Sequence, residues 1–186
     1  NKKGTGLIKI VARYQQFEGA NAIVKRTLEG KIKKGLIWHF QGSGKSFLIL
    51  FAAQKLRQQA ALKAPTIVIV DDRIDLEEQI TADFLGAEVE NVTGAASKEA
   101  LMEFFRTKQR KILITTIFKF DEVKECLDDR ENIIVLVDEA HRTQEGELGQ
   151  KMRKALPNAF FYGLTGTPIN KYEHNTFQTF GAKEDL

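Results

Sequence analysis

The 186-residue sequence predicts an α/β domain with a mostly parallel open sheet and helices on both faces, and three observations carry that expectation. Short apolar runs alternate with longer amphipathic segments along the chain. Three of the runs, TIVIV (66–70), KILITTI (111–117) and IIVLVD (133–138), are rich in β-branched residues and nearly unbroken by polar ones, as strands covered on both faces must be. A glycine-rich turn follows one apolar run and leads into an apolar helical segment. Alternation of this kind implies right-handed crossovers in an open sheet.

The elements follow in order. A helix over 14–29 carries Ala20, Ile23, Val24, Thr27 and Leu28 on one stripe and stops at Gly30. A strand is expected at 36–40 and a long helix at 45–62. A second strand is expected at 66–71. A helix at 75–85 opens on an acidic residue, and a weaker strand covers 88–92. The next helix, 97–108, begins Ser97-x-x-Ala100, with the serine hydroxyl as cap. Further strands cover 111–117, 133–138 and 160–165. After Pro168 the pattern dissolves into INKYEHNTFQTFGAKEDL, which reads as a loop or the start of a connection to another domain. The expected division is thus an N-terminal helix region (1–34), a sheet core (35–168) and a connection (169–186). There is no internal repeat and no low-complexity segment.

Composition narrows the class. At 42% hydrophobic and 28% charged residues, with three prolines, the chain is globular rather than disordered or fibrous. No apolar run approaches the roughly 18 residues of a membrane span. The lone Cys126 excludes an internal disulfide, and the N-terminus lacks a signal-peptide pattern, so a cytoplasmic setting is expected. The sequence begins with Asn1 rather than methionine, so a piece of a longer polypeptide is expected. Residues 1–35 hold nine Lys/Arg against two Glu. That basic segment suits nucleic-acid phosphates or a solvated helix face equally.

Three short stretches carry chemistry. In Gln41-Gly42-Ser43-Gly44-Lys45-Ser46, small residues let backbone N–H groups point at phosphate oxygens, and a helix N-terminus adds its partial positive charge. Lys45 would reach the β- and γ-phosphates, and the Ser46 hydroxyl would ligate Mg²⁺. The full pattern G-x-x-x-x-G-K-[ST] asks for glycine where His39 stands, a departure that needs only a compatible backbone angle at the loop's start. In VLVDEAHR (135–142), a buried strand delivers two carboxylates at its end: Asp138 to hold Mg²⁺, directly or through water, and Glu139 to polarise the attacking water. Asp-Glu pairs alone are more often solvated caps. In GLTGTPI (163–169), Thr165, Gly166 and Thr167 form a polar turn facing the same sheet edge. His39, His141, His174 and Cys126 lack zinc-ligand spacing, so no metal beyond Mg²⁺ is expected. Trp38 and the phenylalanines are read as core.

Together, QGSGKS, DEAH and TGTP resemble motifs I, II and III of superfamily 2 helicases and translocases. The resemblance implies a RecA-like P-loop NTPase domain, the first of two in such motors. More closely, RYQQFEGANAIV, GLIWHFQGSGKS, VDDRIDLEEQ, ILITTIFKF, VDEAHRTQEGELGQKMRKALPNAFFYGLTGTPI and Phe180-Gly181 are similar to the motor subunit of type I restriction enzymes. The likeness runs over nearly the whole chain. It implies ATP and Mg²⁺ as cofactors and double-stranded DNA as partner. It also implies methyltransferase and specificity subunits, and a second RecA-like domain and a nuclease domain elsewhere in the parent chain. Arg13 and Gln16 match the adenine-reading motif, with Gln15 as rival. Asp72, Arg73 and Asp75 match the motif after the second strand, and Thr115 and Thr116 a motif along the nucleic-acid track. Thr165, Gly166 and Thr167 would couple nucleotide state to that track, and His141 would link the second motif to the third. Phe118 stands where the family would have Gln.

Other readings remain open. An RNA helicase shares DEAH. A GTP-binding switch would want glycine at His141, although NKYE (170–173) resembles its guanine-reading motif. A nucleotide-gated scaffold would need no hydrolysis.

Overall fold

The computed structural model describes residues 10–40, 42–73, 80, 81, 84, 86, 89–140, 147–167 and 180. Six strands form one sheet: β1 (Lys34–Trp38), β2 (Thr66–Asp71), β3 (Val92–Gly94), β4 (Ile112–Thr116), β5 (Ile133–Val137) and β6 (Phe160–Thr165). Their order is β1-β6-β5-β2-β4-β3, and every pairing is parallel. The order places β6 between β1 and β5. The chain leaving β1 and the chain leaving β5 are therefore two strand spacings apart, roughly 10 Å, close enough for a side chain of one to reach the other.

Strand alternation divides the core in two. On one face Ile37, Ile67, Ile69, Ile112, Ile114, Ile134, Leu136, Tyr162 and Leu164 meet α1 (Tyr14–Glu29) and α2 (Lys45–Arg57). On the other, Val68, Val70, Leu113, Val135, Val137 and Phe161 meet α3 (Lys98–Arg106) and α4 (Glu147–Ala155). Strands β2, β4 and β5 are buried at every position. That explains their nearly unbroken apolar sequences, since each buried Val or Ile contributes about 1.5–3 kcal/mol. Helix α1 buries Gln16, Ala20, Ile23 and Thr27, and ends on Gly30 at φ 67°, a left-handed turn that glycine adopts without strain. Thr27 pairs with the Tyr162 hydroxyl at 2.9 Å beneath that helix, and burial pushes the Tyr162 pKa up to about 12.

Several boundaries differ from the sequence expectation. The first strand lies at 34–38 rather than 36–40, because the ladder with β6 opens at Lys34 opposite Phe161. The second helix stops at Arg57, not Leu62. A separate 3-10 turn covers Ala60–Leu62, and the Arg57 guanidinium is drawn to the carbonyls of Pro65 and Arg110. The expected strand over 88–92 pairs only from Val92 to Gly94, after Asn91 in a left-handed conformation at φ 60°. Ser97 caps α3 as expected, accepting from Ala100 N at 3.2 Å. Helix α4 was not anticipated, although Leu148, Met152 and Ala155 carry helical spacing and Lys151 pairs with Glu147 at 3.1 Å. Most of the helix expected at 75–85 and nearly all of the connection after Pro168 lie outside the described residues. Phe180, which is described, is fully buried against the α3/α4 face.

One ion pair stands out for stability. Arg130 grips Asp128 with Nε and Nη2 at 2.6–3.0 Å, and the Asp128 side chain is fully buried. Removing one partner of a buried pair costs roughly 3–5 kcal/mol, and the partial exposure of Arg130 lowers that by admitting water. Arg130→Ala is therefore expected to destabilise the chain by about 2 kcal/mol, read as a lower urea midpoint at unchanged slope.

Candidate nucleotide site

The strand-to-helix turn after β1 is built for anions. Gly42 (φ 81°) and Gly44 (φ 82°) hold conformations that side-chain-bearing residues resist, and Gly44 opens α2, so that Lys45 and Ser46 occupy its first turn. Lys45 is 8% exposed, and its ammonium lies 3.4 Å from Glu139 Oε1. The two expected catalytic side chains, carried past the ends of β1 and β5 with β6 between those strands, thus meet.

Asp138 and Glu139 follow β5 directly. Asp138 N donates to Val70 O at 2.9 Å, so Asp138 extends the ladder with β2. Asp138 is 6% exposed, and burial pushes its pKa up to about 6. Glu139 sits at φ 44° with its N–H donating to Asp138 Oδ1 at 2.9 Å. A left-handed glutamate is the kind of strain that collects at functional sites, and it turns the Glu139 side chain toward Lys45.

The turn after β6 is tied to the lead-in of the glycine loop. His39 N donates to Thr165 O at 3.0 Å, and the Trp38 indole N–H donates to Gly166 O at 3.1 Å. Thr165 is buried, and its hydroxyl accepts from Thr167 N at 3.2 Å. Trp38 is 47% exposed, so it is not the core residue the sequence suggested. Its role as a strap between the two turns was invisible without the β1–β6 pairing. His141 and Gln41 lie outside the described residues.

The two N-terminal glutamines separate clearly. Gln16 is buried; its Oε1 accepts from Arg13 N at 2.9 Å, and its Nε2 donates to Ser43 O at 3.3 Å and Gly44 O at 3.0 Å. Gln16 therefore splices the start of α1 onto the glycine loop. Gln15 instead lines a cavity of about 330 Å³ with Tyr14, Glu18, Trp38 and His39. Base reading by Gln16 requires it to release a loop carbonyl, whereas Gln15 faces the cavity already.

Of the residues expected along a nucleic-acid track, Arg73 is exposed, but Thr115 and Thr116 are buried in β4. Their side chains point to opposite faces of the sheet, and the Thr115 hydroxyl donates to Thr116 O at 3.5 Å. Beyond them Phe118 presents a half-exposed ring.

The donor set fits a nucleoside triphosphate with a divalent cation. Among the described residues, the buried polar atoms without a hydrogen-bond partner include Ser43 Oγ in the loop, His39 Nδ1 at its entry and Asp71 Oδ2 at the end of β2, with others on Arg130 and Arg153 away from the loop. Such atoms cost free energy unless a ligand satisfies them. Burial, and then the nearby Lys45 ammonium, hold the His39 imidazole below its ordinary pKa.

The family model described as SWI2/SNF2 ATPase matches residues 15–185. A putative type I restriction enzyme MjaIXP endonuclease subunit from Methanocaldococcus jannaschii is 39% identical over 186 residues, 93% of this chain and 18% of that protein. The type I restriction enzyme HindI endonuclease subunit of Haemophilus influenzae is 37% identical over 200 residues, 94% of this chain and 19% of that protein. The chain thus spans about a fifth of the length of these relatives. Among solved structures, the UvsW helicase from bacteriophage T4 superposes with a TM-score of 0.65 at 17% identity, covering 95% of this chain and 61% of that one.

Proposed function

The chain belongs to the SWI2/SNF2 ATPase family and has the fold of a helicase RecA-like domain, and from that premise we propose that it is the first motor domain of a type I restriction enzyme's endonuclease subunit. In this reading it binds Mg-ATP and couples hydrolysis to movement along double-stranded DNA. A second RecA-like domain and a nuclease domain would belong to the same polypeptide, and methyltransferase and specificity subunits to the complex. The observation that carries the reading is the 3.4 Å contact between Lys45 and Glu139.

Each residue then has a task. The N–H groups of the turn through Gly42, Ser43 and Gly44 receive phosphate oxygens at the positive end of α2. Lys45 leaves Glu139 for the β- and γ-phosphates, an exchange of one anionic partner for another that frees the glutamate. Glu139 then orients a water and accepts its proton. Ser46 and Asp138 would hold Mg²⁺, which neutralises charge developing on the phosphoryl oxygens. Thr165, Gly166 and Thr167, strapped to the loop through Trp38 and His39, carry changes at the phosphates toward the DNA, with His141 as the expected link from the acid pair. Arg73 meets DNA phosphates, while Thr115 and Thr116 act from beneath that surface.

Phosphoryl transfer of this kind gains roughly 10³–10⁵ in rate from an arginine delivered in trans. The 186-residue chain by itself is therefore expected to hydrolyse ATP poorly. The deciding experiment measures ATP turnover of the complete polypeptide with linear duplex DNA and with RNA. Stimulation by duplex DNA alone is expected. Stimulation by RNA alone would move the chain to an RNA helicase.

A further inference from the structure

The acid at the end of β2 has no task in the mechanism above. Val70 and Val137 are paired in register and both face the α3/α4 side, so the residues that follow them, Asp71 and Asp138, both turn to the α1/α2 side. Asp71 is fully buried. Its Oδ1 accepts from Arg73 N at 3.0 Å, closing a local turn. Its Oδ2 is buried and meets no N–H or hydroxyl donor among the described residues; the neighbouring side chain is the Asp72 carboxyl.

A turn alone does not explain this residue. Asparagine or serine would accept from Arg73 N equally well and leave no orphaned carboxylate oxygen. Asp71 instead places a second buried acid beside Asp138 in the paired register of β2 and β5, with the Asp72 carboxyl next to it. An arrangement that costs stability and sits at a ligand site is the usual mark of a functional demand.

We propose that Asp71 is a positioning carboxylate whose Oδ2 accepts a hydrogen bond from a water on the divalent cation held by Asp138 and Ser46, making nucleotide binding conditional on that cation. The inference rests on the Mg-nucleotide reading given above. Its electrostatic logic is a count of charges. Asp71, Asp72, Asp138 and Glu139 cluster at the ends of β2 and β5, with the single Lys45 ammonium against Glu139, so a triphosphate arriving without a cation meets repulsion, and one arriving with it meets a matched site. Outer carboxylates of this kind typically change metal affinity by roughly 10- to 100-fold when removed.

The test compares the complete polypeptide with its Asp71→Asn and Asp71→Ala variants. Each is titrated with a non-hydrolysable ATP analogue in magnesium chloride and again in EDTA. Wild type should bind much more tightly with magnesium. In Asp71→Asn the amide oxygen keeps the bond to Arg73 N, while the amide nitrogen replaces an acceptor with a donor. The ratio of the two affinities is then expected to fall about tenfold or more, with binding in EDTA unchanged or tighter. Asp71→Ala should lower the ratio similarly. Equal losses in both buffers, or an unchanged ratio, would overturn the proposal and leave Asp71 a structural residue. If wild type binds no nucleotide in either buffer, the Mg-nucleotide reading itself falls.

Discussion

Replacing Glu139 with Gln is expected to lower ATP turnover of the complete polypeptide by roughly 10²–10⁴-fold, the usual contribution of a positioned general base, while nucleotide affinity changes little. The amide matches the carboxylate in shape and keeps an acceptor within reach of Lys45, now 3.4 Å away, but it cannot take a proton. Two features keep the substitution local. Lys45, 8% exposed, still has the Asp138 carboxyl nearby when Glu139 loses its charge, and the left-handed backbone of Glu139 at φ 44° is anchored by its N–H bond to Asp138 rather than by the side chain. Rapid-quench measurement of single-turnover hydrolysis beside equilibrium binding separates the two effects. If turnover persists within a few-fold of wild type, Glu139 is not the base. If turnover collapses while DNA movement or cleavage continues, the domain is a nucleotide-gated scaffold. Because Lys45 and Glu139 are paired before nucleotide arrives, Glu139→Gln should also loosen Lys45 and leave affinity equal to wild type or slightly tighter.

The parts of this site that could be read from sequence are those fixed by local chemistry. Gly42, Gly44, Lys45 and Ser46 form one strand-to-helix turn, and Asp138-Glu139 ends a strand whose burial is written in IIVLV, so both were assignable with no knowledge of sheet order. What could not be read depends on which strands are neighbours. Trp38 reaches Gly166 only because β6 lies beside β1, and Asp71 faces Asp138 only because β2 lies beside β5 in register. Thr115 and Thr116 show the converse. Their residue types suit phosphate contacts, but a strand with neighbours on both sides and helices on both faces buries them, and no local pattern announces that. Helix α4 was overlooked for a different reason. It follows the acid pair so closely that its residues read as motif continuation, although the 148, 152, 155 spacing is present. Boundaries slipped where a single hydrogen-bonded ladder decides them, as at the short β3.

Gly44→Ala is expected to cost about 2–4 kcal/mol of stability, against about 1–2 kcal/mol for Gly42→Ala, and the difference measures how Gln16 holds the loop. Both glycines have φ near 80°, so both substitutions incur the same left-handed strain. Their surroundings differ. A Cβ on Gly42 would meet nothing within 4 Å, whereas one on Gly44 would lie 2.4 Å from Gln16 Nε2. That contact cannot stand, so Gln16 must withdraw and give up its bonds to Ser43 O and Gly44 O, each worth about 0.5–1.5 kcal/mol. Gln16 also caps α1 through Arg13 N, so its withdrawal carries the strain into the helix start. The cycle is completed with Gln16→Ala. In that background the obstruction is gone, and adding Gly44→Ala should cost no more than Gly42→Ala does alone, a non-additivity of about 1–2 kcal/mol in urea unfolding. Strict additivity would mean that the amide moves aside freely and that Gln16 merely lies beside the loop. The expected coupling instead makes this side chain a strut: it fixes the carbonyls at Ser43 and Gly44, which keeps the adjoining N–H groups turned toward the space a phosphate would fill, and it ties that posture to the first turn of α1.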